Sequence, residues 1–150
     1  MPPPPNLDIL LQQLQYPAMT WVESRITQAW LEEHGAAYDR IEFNIRLGRG
    51  ISLGEGFGQE TQRMAELVTQ KRADIVAYSP DQVTIIEVKV RVTFTALGQL
   101  LGYRLLWQQA NPDSPPVRLM AIGRAIVPDA ESLFRGQGVE VLIFPRVPAE

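Results

Sequence analysis

The segment Gln82-Val83-Thr84-Ile85-Ile86-Glu87-Val88-Lys89-Val90 constrains this chain more than any other. In an extended chain, side chains alternate between faces. Val83, Ile85, Glu87 and Lys89 therefore share one face, and Thr84, Ile86, Val88 and Val90 the other. Both faces are mostly apolar, the mark of an interior strand covered on both sides. Charge is costly there unless it is paired or used, yet Glu87 and Lys89 stand together on one face. Asp74 lies on the preceding strand, Arg72 to Tyr78, where it shares a face with Arg72 and Val76. Ser79-Pro80-Asp81-Gln82 reads as a tight turn, so the two strands form a hairpin that brings Asp74 beside Glu87. Two carboxylates meeting there, with a backbone carbonyl such as that of Val88, offer hard oxygen donors suited to Mg²⁺ or Mn²⁺. Lys89 is placed to orient an attacking water or to stabilise charge building up on phosphorus.

Around this hairpin the chain reads as α/β. Leu7 to Leu14 carries one or two helical turns, which Tyr16-Pro17 interrupts. Thr20 is the expected N-cap of a helix running to about Glu33, with Glu23 closing a capping box. Val22, Ile26, Ala29 and Trp30 form its apolar stripe, and His34-Gly35 ends it, with His34 as a C-terminal cap. Tyr38 to Leu47 alternates as a strand, Ile41, Phe43 and Ile45 on one face and Arg40, Glu42, Asn44 and Arg46 on the other. The glycine-rich stretch from Gly48 to Gly58 reads as a mobile loop, and Gln59 to Gln70 as a short helix or more loop. Beyond the hairpin, Leu97, Leu100, Leu101, Leu105 and Leu106 recur at helical spacing over Thr95 to Gln109, and Asn111-Pro112 stops that helix. Pro116 to Ile122 is a strand, Pro128 to Phe134 a short helix ended by Gly136, and Val139 to Phe144 a last strand. The order α-β-β-β-α-β-α-β predicts a mixed sheet flanked by helices. The expected division is a proline-rich arm over 1–19 and a single domain over 20–150.

Composition narrows the function classes. A chain of 150 residues with 45% hydrophobic content can bury one real core. Its formal net charge of −3 rules out a basic coat, so a nucleic-acid partner must meet a local basic groove, or one completed by a second subunit or a recruiting protein. Without cysteine there are no disulfides or thiolate zinc sites, and a single histidine, His34, speaks against zinc hydrolysis and Ser-His or Cys-His catalysis. The glycine stretch lacks the GxxxxGK[ST] spacing of a phosphate-binding loop. The polyproline start has no basic segment followed by an apolar run, and nothing approaches the roughly 20 consecutive apolar residues of a membrane span. A cytoplasmic protein without membrane contact is the expectation.

Asp74 followed by Glu87-Val88-Lys89 resembles the motif of the PD-(D/E)XK nuclease superfamily: an Asp on one strand, then Glu or Asp, any residue, and Lys on the next. Ala73 stands where the family usually has a proline, a position that touches no ligand. From Thr20 onward, the expected element order is similar to that family's α-β-β-β-α-β core. Gln99 and Tyr103 lie four apart on one helix face, and Gln99-Leu100-Leu101-Gly102-Tyr103 looks like the QxxxY signature of the RecB-like and phage-type exonuclease branches. The resemblance implies a restriction-endonuclease-like fold and phosphodiester hydrolysis, with DNA as the expected substrate and RNA the further one. It implies that Asp74, Glu87 and the Val88 carbonyl bind Mg²⁺ or Mn²⁺, that Lys89 positions the attacking water, and that Gln99 and Tyr103 shape the site. Glu23 lies on the helix before the sheet, where many members carry an additional acidic residue, and joins the metal candidates. Arg46, Arg49, Arg72, Arg91 and Arg104 are the candidates for phosphate contact, and Phe57 for stacking on a base. A homo-oligomer would concentrate those basic residues.

Plainer readings stand beside these. Glu87 and Lys89 also make sense as a structural ion pair, Glu23 as a capping-box carboxylate, and Gln99 with Tyr103 as the edge of a packed helix. Arg72 reads either as an ion-pair partner of Asp74 or as part of a phosphate path. The alternative function is a catalytically inactive module of the same fold that binds nucleic acid or assembles with protein.

Overall fold

A computed structural model describes residues 4–48, 53–69 and 71–149, with 66–69 described in backbone only. Five strands form one sheet in chain order: β1 (Arg40–Leu47), β2 (Lys71–Tyr78), β3 (Val83–Val92), β4 (Val117–Ile126) and β5 (Val139–Ile143). The first three pair antiparallel, and β3, β4 and β5 pair parallel. Parallel neighbours need a crossover. Helix α4 (Phe94–Ala110) supplies the one between β3 and β4, and α5 (Ala130–Gly136) the one between β4 and β5. The central strand β3 is buried from Val83 through Val88, as its two apolar faces require.

Each sheet face has its own core. Val76, Ile85, Leu119 and Ala121 pack with Leu100, Tyr103 and Trp107 of α4 and Phe134 of α5. Ile75, Ile86, Val88, Met120 and Ile122 pack with Ile26, Trp30 and Leu31 of α2 (Trp21–His34). Helix α2 begins where the sequence predicts: the Thr20 side chain accepts from the Glu23 N–H, and the Glu23 carboxylate accepts from the Thr20 N–H at 2.8 Å. Gly35 follows its last residue, His34, whose Nε2 lies 3.5 Å from the Glu33 carboxylate. Gln59–Thr69 is helical (α3), inserted between β1 and β2. The succession α2-β1-β2-β3-α4-β4 thus holds the expected α-β-β-β-α-β core.

The N-terminal stretch carries the expected helical turns and packs onto α2. Residues Leu7–Gln12 form α1, and Leu10, Tyr16 and Met19 are buried in the α2-side core. The Tyr16 hydroxyl donates to the Leu10 carbonyl at 2.6 Å, and its backbone N–H donates to Ser24 Oγ at 3.0 Å. The cause is the flank of α2, which the sheet leaves uncovered and these apolar side chains shield. Among the described residues no helix is long and apolar enough to cross a membrane.

Candidate active site

The sheet opens around Asp74. On the β1 side, pairing runs Phe43–Ile75 and then Ile45–Ala73, stepping over Asn44 and Asp74. On the β3 side it ends at Ile75–Ile86, one step short of Asp74 and Glu87. Asp74 uses its side chain where a ladder bond would lie: its Oδ2 accepts from the Val88 N–H at 2.9 Å. Continuing the register places Glu87 opposite Asp74 on the same face. Glu87 is only 4% exposed. Its Oε2 lies 3.4 Å from Lys89 Nζ, whereas its Oε1 is buried with no hydrogen-bond partner.

Electrostatics follow from this crowding. Burial, then the neighbouring Asp74, push the Glu87 carboxyl up to about 8, more than the Lys89 ammonium can offset. Burial also raises Asp74, against the lowering effect of its bonds to Glu87 and Val88. The metal-free pair therefore keeps a proton into the neutral range and titrates as a unit. The 3.4 Å contact with Lys89 is accordingly a full ion pair only once that proton has left. The Tyr103 hydroxyl is held in its neutral form by burial, then by the charges of Glu87 and Asp74. Tyr103 thus reaches the two acids from α4.

Two carboxyls that resist ionisation, one with an orphaned oxygen, fit a divalent cation, which supplies the missing charge and takes up the free lone pair. Glu23 stands differently. Its carboxylate closes the α2 capping box, and its charge acts on Asp74 by raising that group's pKa. Among the described residues no three His, Cys, Asp or Glu side chains come together at metal-binding spacing. Gln99 sits one helical turn before Tyr103 and has a buried Oε1 with no partner, but no described contact links it to Asp74 or Glu87.

Arg72 makes no ion pair with Asp74. None of Arg46, Arg72, Arg91 and Arg104 has an ion-pair partner among the described residues. Arg46 and Arg72 face each other across the β1–β2 ladder, an arrangement of like charges that costs stability unless an anion lies between them. Arg49 falls outside the described residues, as does part of the glycine stretch; Phe57 within that stretch is exposed.

Two contributors escape a sequence reading. A Cβ built on Gly123 of β4 would lie 2.6 Å from the Lys89 carbonyl oxygen and 2.7 Å from Val92 Cγ2, so this glycine lets β4 press against β3 beside Lys89. A glycine inside a strand is the available signal for such close approach. Asn44 has a positive φ of 54° in mid-strand, and an asparagine within an otherwise β-favouring run is its only advance sign.

No family model matches this chain, and no curated protein matches it in sequence. It is similar to the solved structure of EndoMS in a complex with dsDNA, at 16% identity and a TM-score of 0.49, covering 93% of this chain and 50% of that one. A repair endonuclease from Pyrococcus abyssi aligns at 16% identity and a TM-score of 0.43, over 71% of this chain and 40% of that one. A protein described as of unknown function aligns at 14% identity and a TM-score of 0.48, over 80% of this chain and 55% of that one. The chain spans about half the length of the solved chains it matches.

Proposed function

We propose that this chain is a metal-dependent nuclease domain that hydrolyses phosphodiester bonds, with DNA as its substrate. One observation carries the reading: a buried Glu87 with an orphaned oxygen, beside Asp74 and 3.4 Å from the Lys89 ammonium. Asp74, Glu87 and the Val88 carbonyl would hold Mg²⁺ or Mn²⁺, with Glu23 acting on them through its charge. When bound, the cation polarises the phosphoryl group and neutralises charge developing on it. Lys89 donates hydrogen bonds, orienting the attacking water and stabilising negative charge on phosphorus. Tyr103 steadies the Glu87 carboxylate from α4, and Gln99 lies one turn from it. Arg46 and Arg72 hold the flanking phosphates, with Arg91 and Arg104 extending the path. A second copy or a recruiting partner would lengthen that path further.

The test is cleavage of linear, nicked and branched DNA, and of RNA, in Mg²⁺ and Mn²⁺, with Mn²⁺ binding measured in parallel. Wild type is expected to cut. Glu87→Ala should lose both metal binding and cutting. Lys89→Ala should keep metal binding while cutting at least about a hundredfold more slowly. Nucleic-acid binding that needs no metal, with no cleavage in either, would leave the inactive binding or assembly module in place of the enzyme.

A further inference from the structure

We infer that Asn44 is a positioning residue: its left-handed backbone holds the sheet open at Asp74, so that the Asp74 carboxylate turns to Val88 and Glu87. Extended strand geometry needs a strongly negative φ, and Asn44 has φ +54° in the middle of β1. The register on its two sides is unchanged, Phe43 with Ile75 and Ile45 with Ala73. No residue is inserted, as a bulge would require. The faces invert there instead: Ile41 and Phe43 pack on the α2 side, whereas Ile45, expected on that same face, packs with Leu47 on the α4 side, and the residue facing Asn44 is Asp74. A left-handed residue between extended neighbours cannot present its peptide groups to the ladder, and the β1–β2 pairing accordingly skips that one position. The β2–β3 pairing stops at the same place. Asp74 is thereby free of its neighbours on both sides, and its Oδ2 takes the Val88 N–H.

Of the non-glycine residues with positive φ among those described, Ala18 and Asp129 lie outside the strands and Asn44 alone lies within one. Asparagine is the non-glycine residue that adopts this conformation most readily. Strain of this kind persists where surrounding structure enforces it, and it gathers at functional sites. The inference rests on the reading of Asp74 as a functional carboxylate, but its first readout needs neither metal nor substrate.

That readout is the Val88 amide, followed by nitrogen-edited NMR and hydrogen exchange in the metal-free protein. Asn44→Gly keeps the left-handed conformation open and removes the side chain. It should leave the Val88 shift and protection unchanged and the cleavage rate within about twofold. Asn44→Val, whose branched side chain disfavours positive φ, should draw β1 into regular pairing. The Val88 amide signal should then shift, and kcat should fall on the order of tenfold to a hundredfold with KM for DNA unchanged. Should Asn44→Val fail to fold, Asn44→Ala is expected to act in the same direction. An unmoved Val88 amide in the folded Val or Ala variant would overturn the inference, as would a loss in Asn44→Gly as large as in Asn44→Val. A wild type that neither binds Mn²⁺ nor cuts would instead refute the nuclease reading, and the Val88 signal would still decide the role of Asn44.

Discussion

Glu87 binds its proton more tightly in the folded protein than in the unfolded chain, with a pKa of about 8 against an ordinary 4.5. Between those values the native state holds more protons, so the stability of the metal-free protein falls as pH rises through that window. Asp74 is shifted the same way and adds to the slope. The penalty at pH 8 and above is on the order of a few kcal/mol. Glu87→Gln removes the ionisation while keeping the shape. Its metal-free melting temperature is expected to exceed wild type at pH 8.5, the difference closing towards pH 5. Mn²⁺ should raise the wild-type melting temperature at pH 8 and leave the variant unmoved. Thermal melts across pH, with and without the ion, check both points, and parallel wild-type and variant curves would refute them. At this scale the sequence was informative, because period-two alternation alone puts Glu87 and Lys89 on one face and Asp74 within reach. Alternation assigns a face, and the tight turn adds the partner across the ladder, as the pairing from Tyr78–Val83 to Ile75–Ile86 bears out; what the sequence did not give was the break in pairing at Asp74 itself.

At the scale of elements, the helices announced themselves through their ends and stripes. Thr20 and Glu23 form the capping box that their spacing implies, and the leucine recurrence marks α4. The N-terminal stretch was harder to read, since Leu10, Tyr16 and Met19 have no periodic pattern around Pro17 and acquire their places only from the flank of α2. Strand spacing was likewise hidden. The contact that Gly123 permits is between backbones, and composition carries no trace of which backbone it meets. A methyl group there would collide with the Lys89 carbonyl oxygen and Val92 Cγ2. Gly123→Ala is therefore expected to destabilise by about 1–3 kcal/mol and to slow cleavage beyond what lost stability explains, because β3 must shift at Lys89. Urea unfolding alongside cleavage kinetics measures the two effects, and an unchanged midpoint and rate would show that the strands can move apart at no cost.

For the whole molecule, the balance of charge sets how nucleic acid can be held. With a net charge of −3 the chain has no general attraction for a polyanion. On the proposed nuclease reading, association would come from a few guanidiniums, and Arg46 and Arg72, opposed across the β1–β2 ladder without carboxylate partners among the described residues, form one such pair. Each arginine that contacts a phosphate adds close to one to the slope of log affinity against log salt. Arg46→Ala and Arg72→Ala should each flatten that slope by about one in a titration from 50 to 200 mM salt. A slope that neither substitution alters would move the nucleic-acid path elsewhere.

The tight turn in which the Ser79 N–H bonds the Gln82 carbonyl at 2.9 Å also bears on how the chain assembles. Because this short connection joins the arms carrying Asp74 and Glu87, the two acids are expected to meet as the hairpin zips, before α4 brings β4 alongside β3. Local contacts of this kind form early in folding. Above pH 8 the ion-free chain must therefore bring two anions together without the proton that the pair takes up at lower pH. Stopped-flow refolding should be slower at pH 8.5 than at pH 6.5, and magnesium should restore the rate. Glu87→Gln should refold at one speed across the range, and a wild-type rate indifferent to pH would place the meeting of the two acids after the barrier.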